Sequence, residues 1–210
     1  WNLYDAGIRG PLIVRWPGKV KPGSATAAMV SLVDLLPTVV AAAGATLPPA
    51  EMDGRSFLPV LLGQADKHLD AVYASHTGDG KMNRSPMRAV RTGRYKYILN
   101  LNPGEAYKTH VSEGVSDDGK LYWDSWVRLA ERDAHAAEMV RRFRHRPAEE
   151  LFDLSADPWE QTNLAADVGH ASTLKELREQ LKQWRVQQGE DLNKVPMPED
   201  ARTGNVPYAK

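Results

Sequence analysis

Ser85-Pro86-Met87-Arg88-Ala89-Val90-Arg91-Thr92-Gly93-Arg94-Tyr95-Lys96-Tyr97-Ile98-Leu99-Asn100 is a pair of strand-like runs joined at a Thr-Gly turn, and it reads as a β-hairpin. Successive strand residues alternate sides. Met87 and Ala89 therefore share one face of the first strand, and Tyr95, Tyr97 and Leu99 share one face of the second. Arg88, Arg91, Arg94 and Lys96 decorate the ribbon. A basic hairpin of this kind suits a solvated edge, a nucleic-acid contact or a wall for an anionic substrate, and periodicity does not choose among them.

Moving from the hairpin toward the start of the chain, Asp70-Ala71-Val72-Tyr73-Ala74-Ser75-His76 reads as another strand, followed by a Gly/Asp/Asn loop over 77–85. His76 stands where a strand gives way to a loop, a position that suits a functional group and equally suits a surface histidine without a role. Asp53-Gly54-Arg55-Ser56 caps a short apolar helix over 57–62 that stops at Gly63. Residues 31–44 read as a helix, with Ser31 and Asp34 in its first turn and Gly44 at its C-terminal cap. Proline is tolerated only in a first turn, so the regular helix begins near Pro37 with a short turn before it. Asp34 reads as a cap, which a carboxylate at a helix start is more often than a metal ligand. Pro11-Leu12-Ile13-Val14-Arg15-Trp16, closed by Pro17-Gly18, is a strand candidate of the kind buried in a larger sheet. No initiator methionine precedes it. The chain reads as cut in mid-domain, with that strand's neighbours in sequence outside it.

On the other side of the hairpin, 102–120 is polar and reads as a mobile excursion. Leu121, Trp123, Trp126, Leu129, Ala137, Val140 and Phe143 mark an amphipathic helix over about 121–144. Its end carries Arg141, Arg142, Arg144, His145 and Arg146, which suit the helix dipole and, as a sharper alternative, an anionic ligand. Glu150-Leu151-Phe152-Asp153-Leu154 is a short strand, and Asp157-Pro158 a turn. Thr173-Leu174-Lys175-Glu176 reads as a capping box opening a last helix whose stripe is Leu174, Leu177, Leu181 and Trp184. From Gly189 onward the chain reads as an irregular tail.

Bulk composition narrows the function classes. The 210 residues are 42% hydrophobic, enough for a substantial core, and 27 basic against 27 acidic residues give no net charge. Bulk electrostatics thus call for neither nucleic acid nor a membrane surface. No run approaches the roughly 20 apolar residues that span a bilayer, and no charged-then-apolar leader opens the chain. With no cysteine, disulfides, thiolate metal sites and a cysteine nucleophile are excluded within these residues. No Gly-rich phosphate loop, HExxH or Gly-x-Ser-x-Gly elbow is present, and the six histidines are scattered without metal-ligand spacing.

Five blocks in order carry a family resemblance. Leu3-Tyr4-Asp5-Ala6-Gly7-Ile8-Arg9-Gly10-Pro11-Leu12-Ile13-Val14-Arg15-Trp16-Pro17-Gly18 resembles the type I sulfatase segment L-Y-E-G-G-I-R-V-P-L-I-V-R-W-P-G. Val33-Asp34-Leu35-Leu36-Pro37-Thr38 and then Asp53-Gly54-Arg55-Ser56 are similar to the next two family blocks. Arg88-Ala89-Val90-Arg91-Thr92 with Tyr95-Lys96-Tyr97-Ile98 resembles the C-terminal hairpin. Glu150-Leu151-Phe152-Asp153-Leu154, Asp157-Pro158, Glu160 and Asn163-Leu164-Ala165 resemble the closing L-Y-D-L…D-P-x-E-x-x-N-L. Ser75-His76, Pro86-Met87-Arg88 and Asn100-Leu101-Asn102 look most like the heparan N-sulfatase (sulfamidase) branch. Asp5-Ala6 in place of Glu-Gly and Gly10 in place of Val depart from the pattern.

The resemblance implies an α/β, alkaline-phosphatase/sulfatase-like fold. Residues 1–64 would be the end of the catalytic domain, 65–188 a C-terminal subdomain with a short antiparallel sheet and packed helices, and 189–210 a tail. It implies hydrolysis of sulfate esters or N-sulfates on glycosaminoglycan-type sugars by a formylglycine made from a C/S-x-P-x-R motif, with Ca²⁺ or another divalent cation screening the sulfate. Those residues would lie upstream, so this chain would be inactive alone and would pair with the remainder of its own catalytic domain. His76 and Arg88 are the expected substrate contacts, with Asp5 and Arg9 a structural pair near the site. The setting implied is periplasmic, secreted or lysosomal. A phosphodiesterase or phosphonate hydrolase of the same superfamily, and a noncatalytic polyanion-binding module on the hairpin, are the competing readings.

Overall fold

A computed structural model describes residues 2–46, 52–78, 84–113 and 119–196. The chain divides into two compact units. One comprises Trp1–Arg9, Tyr73–Val90 and Arg94–Lys210, and the other Gly10–Val72 with Arg91–Gly93. No helix among the described residues is long and apolar enough to cross a membrane.

A four-stranded antiparallel sheet in the order β1-β2-β3-β4 organises the first unit. The strands are β1 (Ala71–His76), β2 (Met87–Thr92), β3 (Tyr95–Asn100) and β4 (Glu149–Asp153). The expected hairpin is β2 and β3, with the reversal at Gly93-Arg94. β4 pairs with β3 so that Lys96 faces Phe152, Tyr97 faces Leu151 and Ile98 faces Glu150. Residues directly opposite share a face, so Lys96, Ile98, Asn100, Glu150 and Phe152 lie on one side, with Tyr97, Leu151 and Glu149 on the other. Both sides are covered, which explains why β2 reads as buried through Met87, Arg88, Ala89 and Val90 without alternation.

Leu3, Met87, Ala89, Ile98, Tyr107 and Phe152 form the core of the first side, with Tyr4 and Phe143 packed against it. Tyr107 belongs to the stretch expected to be a mobile excursion. Its ring is buried, edge-on to Phe143 at 5.2 Å, and its amide donates to the Arg144 carbonyl. A short helix, α4 (His110–Glu113), follows it, and residues 114–118 lie outside the described set. The long helix expected over 121–144 is two helices, α5 (Lys120–Ala130) and α6 (Ala134–Arg144). Asp133 breaks it by capping α6, accepting from the Ala136 amide at 2.8 Å.

The last helix, α7 (Ala171–Gln187), lies against the other side of the sheet. Leu174, Leu177 and Leu181 are its buried stripe, and Trp184 stacks on Tyr73 of β1 at 5.2 Å. Thr173 and Glu176 sit inside α7 and do not open it. A 3-10 turn, Val168–His170, precedes the helix, with Asp167 accepting from the Gly169 amide. Arg178 of α7 grips the Glu149 carboxylate, which also accepts the Tyr97 hydroxyl. Arg178 is the chief cause holding the Glu149 carboxyl below the usual carboxylate range, against its partial burial. Burial first and Glu149 second push the Tyr97 phenol far up, so it stays a donor.

The second unit is built around Asp34. A 3-10 turn (Leu32–Asp34) leads into α2 (Leu35–Ala42), close to the expected pairing of a short turn with a helix. The Asp34 carboxylate accepts from the amides of Ser31 at 2.9 Å and Arg55 at 3.0 Å, and lies 3.1 Å from His68 Nε2. It is therefore a cap that also ties the Asp-Gly-Arg-Ser segment to α2. Gly54 is dictated by that closure, because a Cβ there would fall 2.0 Å from the Val33 carbonyl oxygen. Phe57 follows, its amide donating to Thr38 Oγ1, and α3 (Leu58–Leu61) ends ahead of Gly63 at φ 70°. The expected strand over 11–16 is absent. That segment has no regular structure and Ile13 is 90% exposed. An apolar run forms a strand only when a neighbouring strand takes its N–H and C=O groups; among the described residues no strand pairs with 11–16, and the Trp16 carbonyl accepts the turn amides of Lys19 and Val20.

Candidate functional site

The structure brings His76 and Arg88 together at the end of β1. Arg88 is 6% exposed. Its Nη1 donates to the carbonyls of His76 (2.9 Å) and Met87 (2.8 Å), and its Nη2 to Thr77 Oγ1 at 3.3 Å. Nε donates to Glu190 at 2.9 Å, and Arg185 donates to the same carboxylate. Burial works to raise the Glu190 carboxyl, but the two guanidinium groups outweigh it and hold it low. Arg88 therefore fixes the backbone at 76–77 from within the fold. The loop beyond, 79–83, lies outside the described residues.

A second cluster was not foreseen. Lys96, expected to decorate the hairpin, is fully buried at 0% exposure. Its Nζ pairs with the Asp5 carboxylate and lies 2.9 Å from Glu160 Oε1. Glu160 Oε2 in turn accepts the Asp5 amide at 2.6 Å. Glu160 has a left-handed φ of 54°, uncommon for a residue with a side chain, and the bonds made by its carboxylate hold it there. Arg9, the expected partner of Asp5, is a looser one at 3.9 Å. Asp5, Lys96 and Glu160 come from the first, fourth and fifth blocks of the family resemblance, so three distant blocks meet in one ion-pair cluster. The signal was in the register: Lys96 sits on the same face as Ile98 and Asn100, which are buried.

Beside it, the Tyr4 hydroxyl donates to Glu150 Oε2 at 2.6 Å, and Asn100 Nδ2 donates to Oε1 of the same carboxylate at 2.8 Å. Burial, with the Glu150 charge behind it, pushes the Tyr4 phenol far above its ordinary range. The Arg146 guanidinium covers Tyr107 at 3.7 Å and Tyr4 at 5.3 Å. Together these contacts hold α1 (Asp5–Ile8) against the sheet.

A cleft of about 1090 Å³ opens over this cluster within the first unit. Asp5, Glu150 and Glu160 lie in its floor, and Arg9, Arg141, Arg142 and His145 in its walls. Arg141 is paired with Glu138 at 2.6 Å. Arg142 has long contacts to Gln161 Oε1 at 3.3 Å and the Glu160 carbonyl at 3.4 Å. The basic end of α6 thus has work beyond its dipole. Sulfatases generally use a divalent cation. Among the described residues no group of three or more His, Asp or Glu side chains is arranged to hold a metal. The described residues do not fit such a site.

Comparison with known proteins agrees with the blocks. Residues 2–112 match the family described as N-sulphoglucosamine sulphohydrolase, C-terminal. An ulvan-active sulfatase of Formosa agariphila is 34% identical over 209 residues, covering 98% of this chain and 39% of that protein. Human N-sulphoglucosamine sulphohydrolase is 31% identical over 194 residues, covering 88% of this chain and 38% of its own. Among solved structures, a 2-O GAG sulfatase superposes with a TM-score of 0.52 at 26% identity, over 80% of this chain and 28% of that one. The chain thus spans well under half the length of these relatives. Its helices and four-stranded sheet have the alkaline-phosphatase-like fold of sulfatases. From the Leu-Tyr-Asp segment through the hairpin and beyond, this chain belongs to the C-terminal family of N-sulphoglucosamine sulphohydrolases.

Proposed function

We propose that the complete protein is a sulfatase that hydrolyses sulfate esters or N-sulfate groups on glycosaminoglycan-type sugars, and that this chain supplies the C-terminal part of it. The observation that carries the reading is the family match over residues 2–112, which contains the hairpin, His76 and Arg88. The relatives named above, one acting on ulvan, one on N-sulphoglucosamine and one on 2-O sulfates of a glycosaminoglycan, agree on a sulfated saccharide and differ in linkage. In this reading the formylglycine and a divalent cation, Ca²⁺ by family habit, belong to the rest of the protein, where they would supply nucleophile and charge screening. Residues 1–64 would complete that catalytic domain, 65–188 form the subdomain and 189–210 the tail. The exposed apolar side chains of the second unit support a role as one part of a larger fold. The setting would be periplasmic, secreted or lysosomal, and fractionation of the native cells tests it.

Within this chain, His76 is the residue that would touch substrate, and Arg88 the one that holds the His76 backbone in place. The function is tested by assaying sulfate release from N-sulfoglucosamine and from glucosamine O-sulfates with the complete protein. Release from at least one is expected. Hydrolysis of a phosphonate monoester with no release from any sulfated sugar would replace this reading with the phosphonate hydrolase one. His76→Ala should lower turnover without lowering the melting temperature, and unchanged kinetics would remove His76 from the site.

A further inference from the structure

The cleft over the Lys96 cluster is larger than one sugar requires. At about 1090 Å³ it is at the top of the range of small-molecule pockets, roughly 300–1,000 Å³. Two tryptophans line it and are left in solvent: Trp159 is 79% exposed and Trp126 53%. Large aromatic surfaces left open in a concave place mark contact sites. The cations beside them have loose partners. Arg9 is 3.9 Å from its carboxylate and Arg142 makes the long contacts given above; the His145 imidazole next to them is exposed. The acids of the floor are occupied from behind, Asp5 and Glu160 by Lys96 and Glu150 by Tyr4 and Asn100. The cleft therefore shows a visitor flat aromatic faces and cations, with its carboxylates already neutralised or hydrogen-bonded.

We propose that this cleft binds the chain of a sulfated oligosaccharide. Trp126 and Trp159 would stack on sugar rings, Arg9 and Arg142 would pair with sulfate or carboxylate groups, and His145 would hydrogen-bond to the same chain. The proposal rests on the sulfatase reading and deepens it: the complete protein would recognise several sugars of a polymer in addition to the one whose sulfate is cleaved.

The test uses the complete protein with a heparin-derived oligosaccharide of about eight sugars, its desulfated counterpart, and N-sulfoglucosamine. Tryptophan fluorescence and calorimetry give affinities. Saturable, salt-sensitive binding of the sulfated chain is expected, with none for the desulfated one. Trp159→Ala and Arg142→Gln should each lower the ratio of oligosaccharide to monosaccharide affinity by about tenfold, whereas Lys175→Gln on the exposed face of α7 should leave the ratio alone. An unchanged ratio in both cleft variants overturns the proposal. So does a fall in melting temperature with affinity intact, which would mean that another segment of the protein fills the cleft. If no sulfated sugar is turned over, the sulfatase reading fails by itself, and the binding titration still decides whether the cleft takes the chain.

Discussion

The two units both bury charge, but on different scales. The first encloses a cation and two carboxylates, Lys96 with Asp5 and Glu160, and braces them with the Tyr4–Glu150–Asn100 chain of hydrogen bonds. The second leaves Ile13, Leu32, Val33, Leu36 and Val39 in solvent, around a small closed polar knot at Asp34. Water normally drives a domain to the reverse arrangement, since burying apolar area stabilises by about 25 cal/mol per Å² and burying charge costs several kcal/mol per ion unless it is paired. A buried, charge-paired cluster suits a position that must be held in one geometry. An exposed apolar face suits a surface that the rest of a larger domain covers. The difference teaches that the first unit fixes its geometry with a buried ion-pair cluster beside its apolar core, while the second rests on one buried carboxylate with much apolar surface in solvent.

The largest blow to that contrast is Lys96→Met. It strands two buried carboxylates and should cost about 3–5 kcal/mol in denaturant unfolding; a loss below about 1 kcal/mol would show that the cluster is solvated. Asp34→Ala removes the acceptor of the Ser31 and Arg55 amides and the partner of His68, and about 1–3 kcal/mol should be lost from the second unit. Gly54→Ala forces backbone to move away from the Val33 carbonyl, with a similar or smaller loss of about 1–3 kcal/mol. The Glu149–Arg178 pair is partly solvent-screened and contributes a few tenths to about 1 kcal/mol. Because the Glu149 carboxyl is held low, that increment is present above its ordinary value of 4.5 and is lost as pH falls below it through the depressed value. An acid titration of wild type against Arg178→Gln should converge there. Smallest of all, Leu36→Ser and Val39→Ser should change the stability of this chain by under about 0.5 kcal/mol, since the side chains are already wet. In the complete protein the same changes should destabilise.

Much of the fold was legible because strand alternation and turn chemistry are local. The hairpin, β1, β4, the Gly44 and Gly63 stops and the leucine stripe of α7 follow from sequence. Depth was not legible. Lys96 and Arg88 look like solvent-facing charges in a sequence, and only the pairing of β3 with β4 and the return of Glu160 and Glu190 show them to be interior. The expected helix bridged the charged run Glu131-Arg132-Asp133 between Leu129 and Ala137 and so missed the cap at Asp133, and the Thr173 box lost to an earlier start behind Asp167. The strand expected over 11–16 failed for a different reason: its pattern is sound, but a strand is a property of two partners. At the candidate site the residue types of His76 and Arg88 were legible from sequence, whereas their shared hydrogen bond and the cleft are tertiary.

Hydrogen exchange, measured on this chain by itself and within the complete protein, tests the contrast between the units most directly. The account predicts that amides over 11–16 and 32–39 gain strong protection in the complete protein, while those of β3 and β4 around Lys96 are protected equally in both. Unchanged exchange over 11–16 and 32–39, or β3 and β4 amides that are protected only in the complete protein, would contradict it.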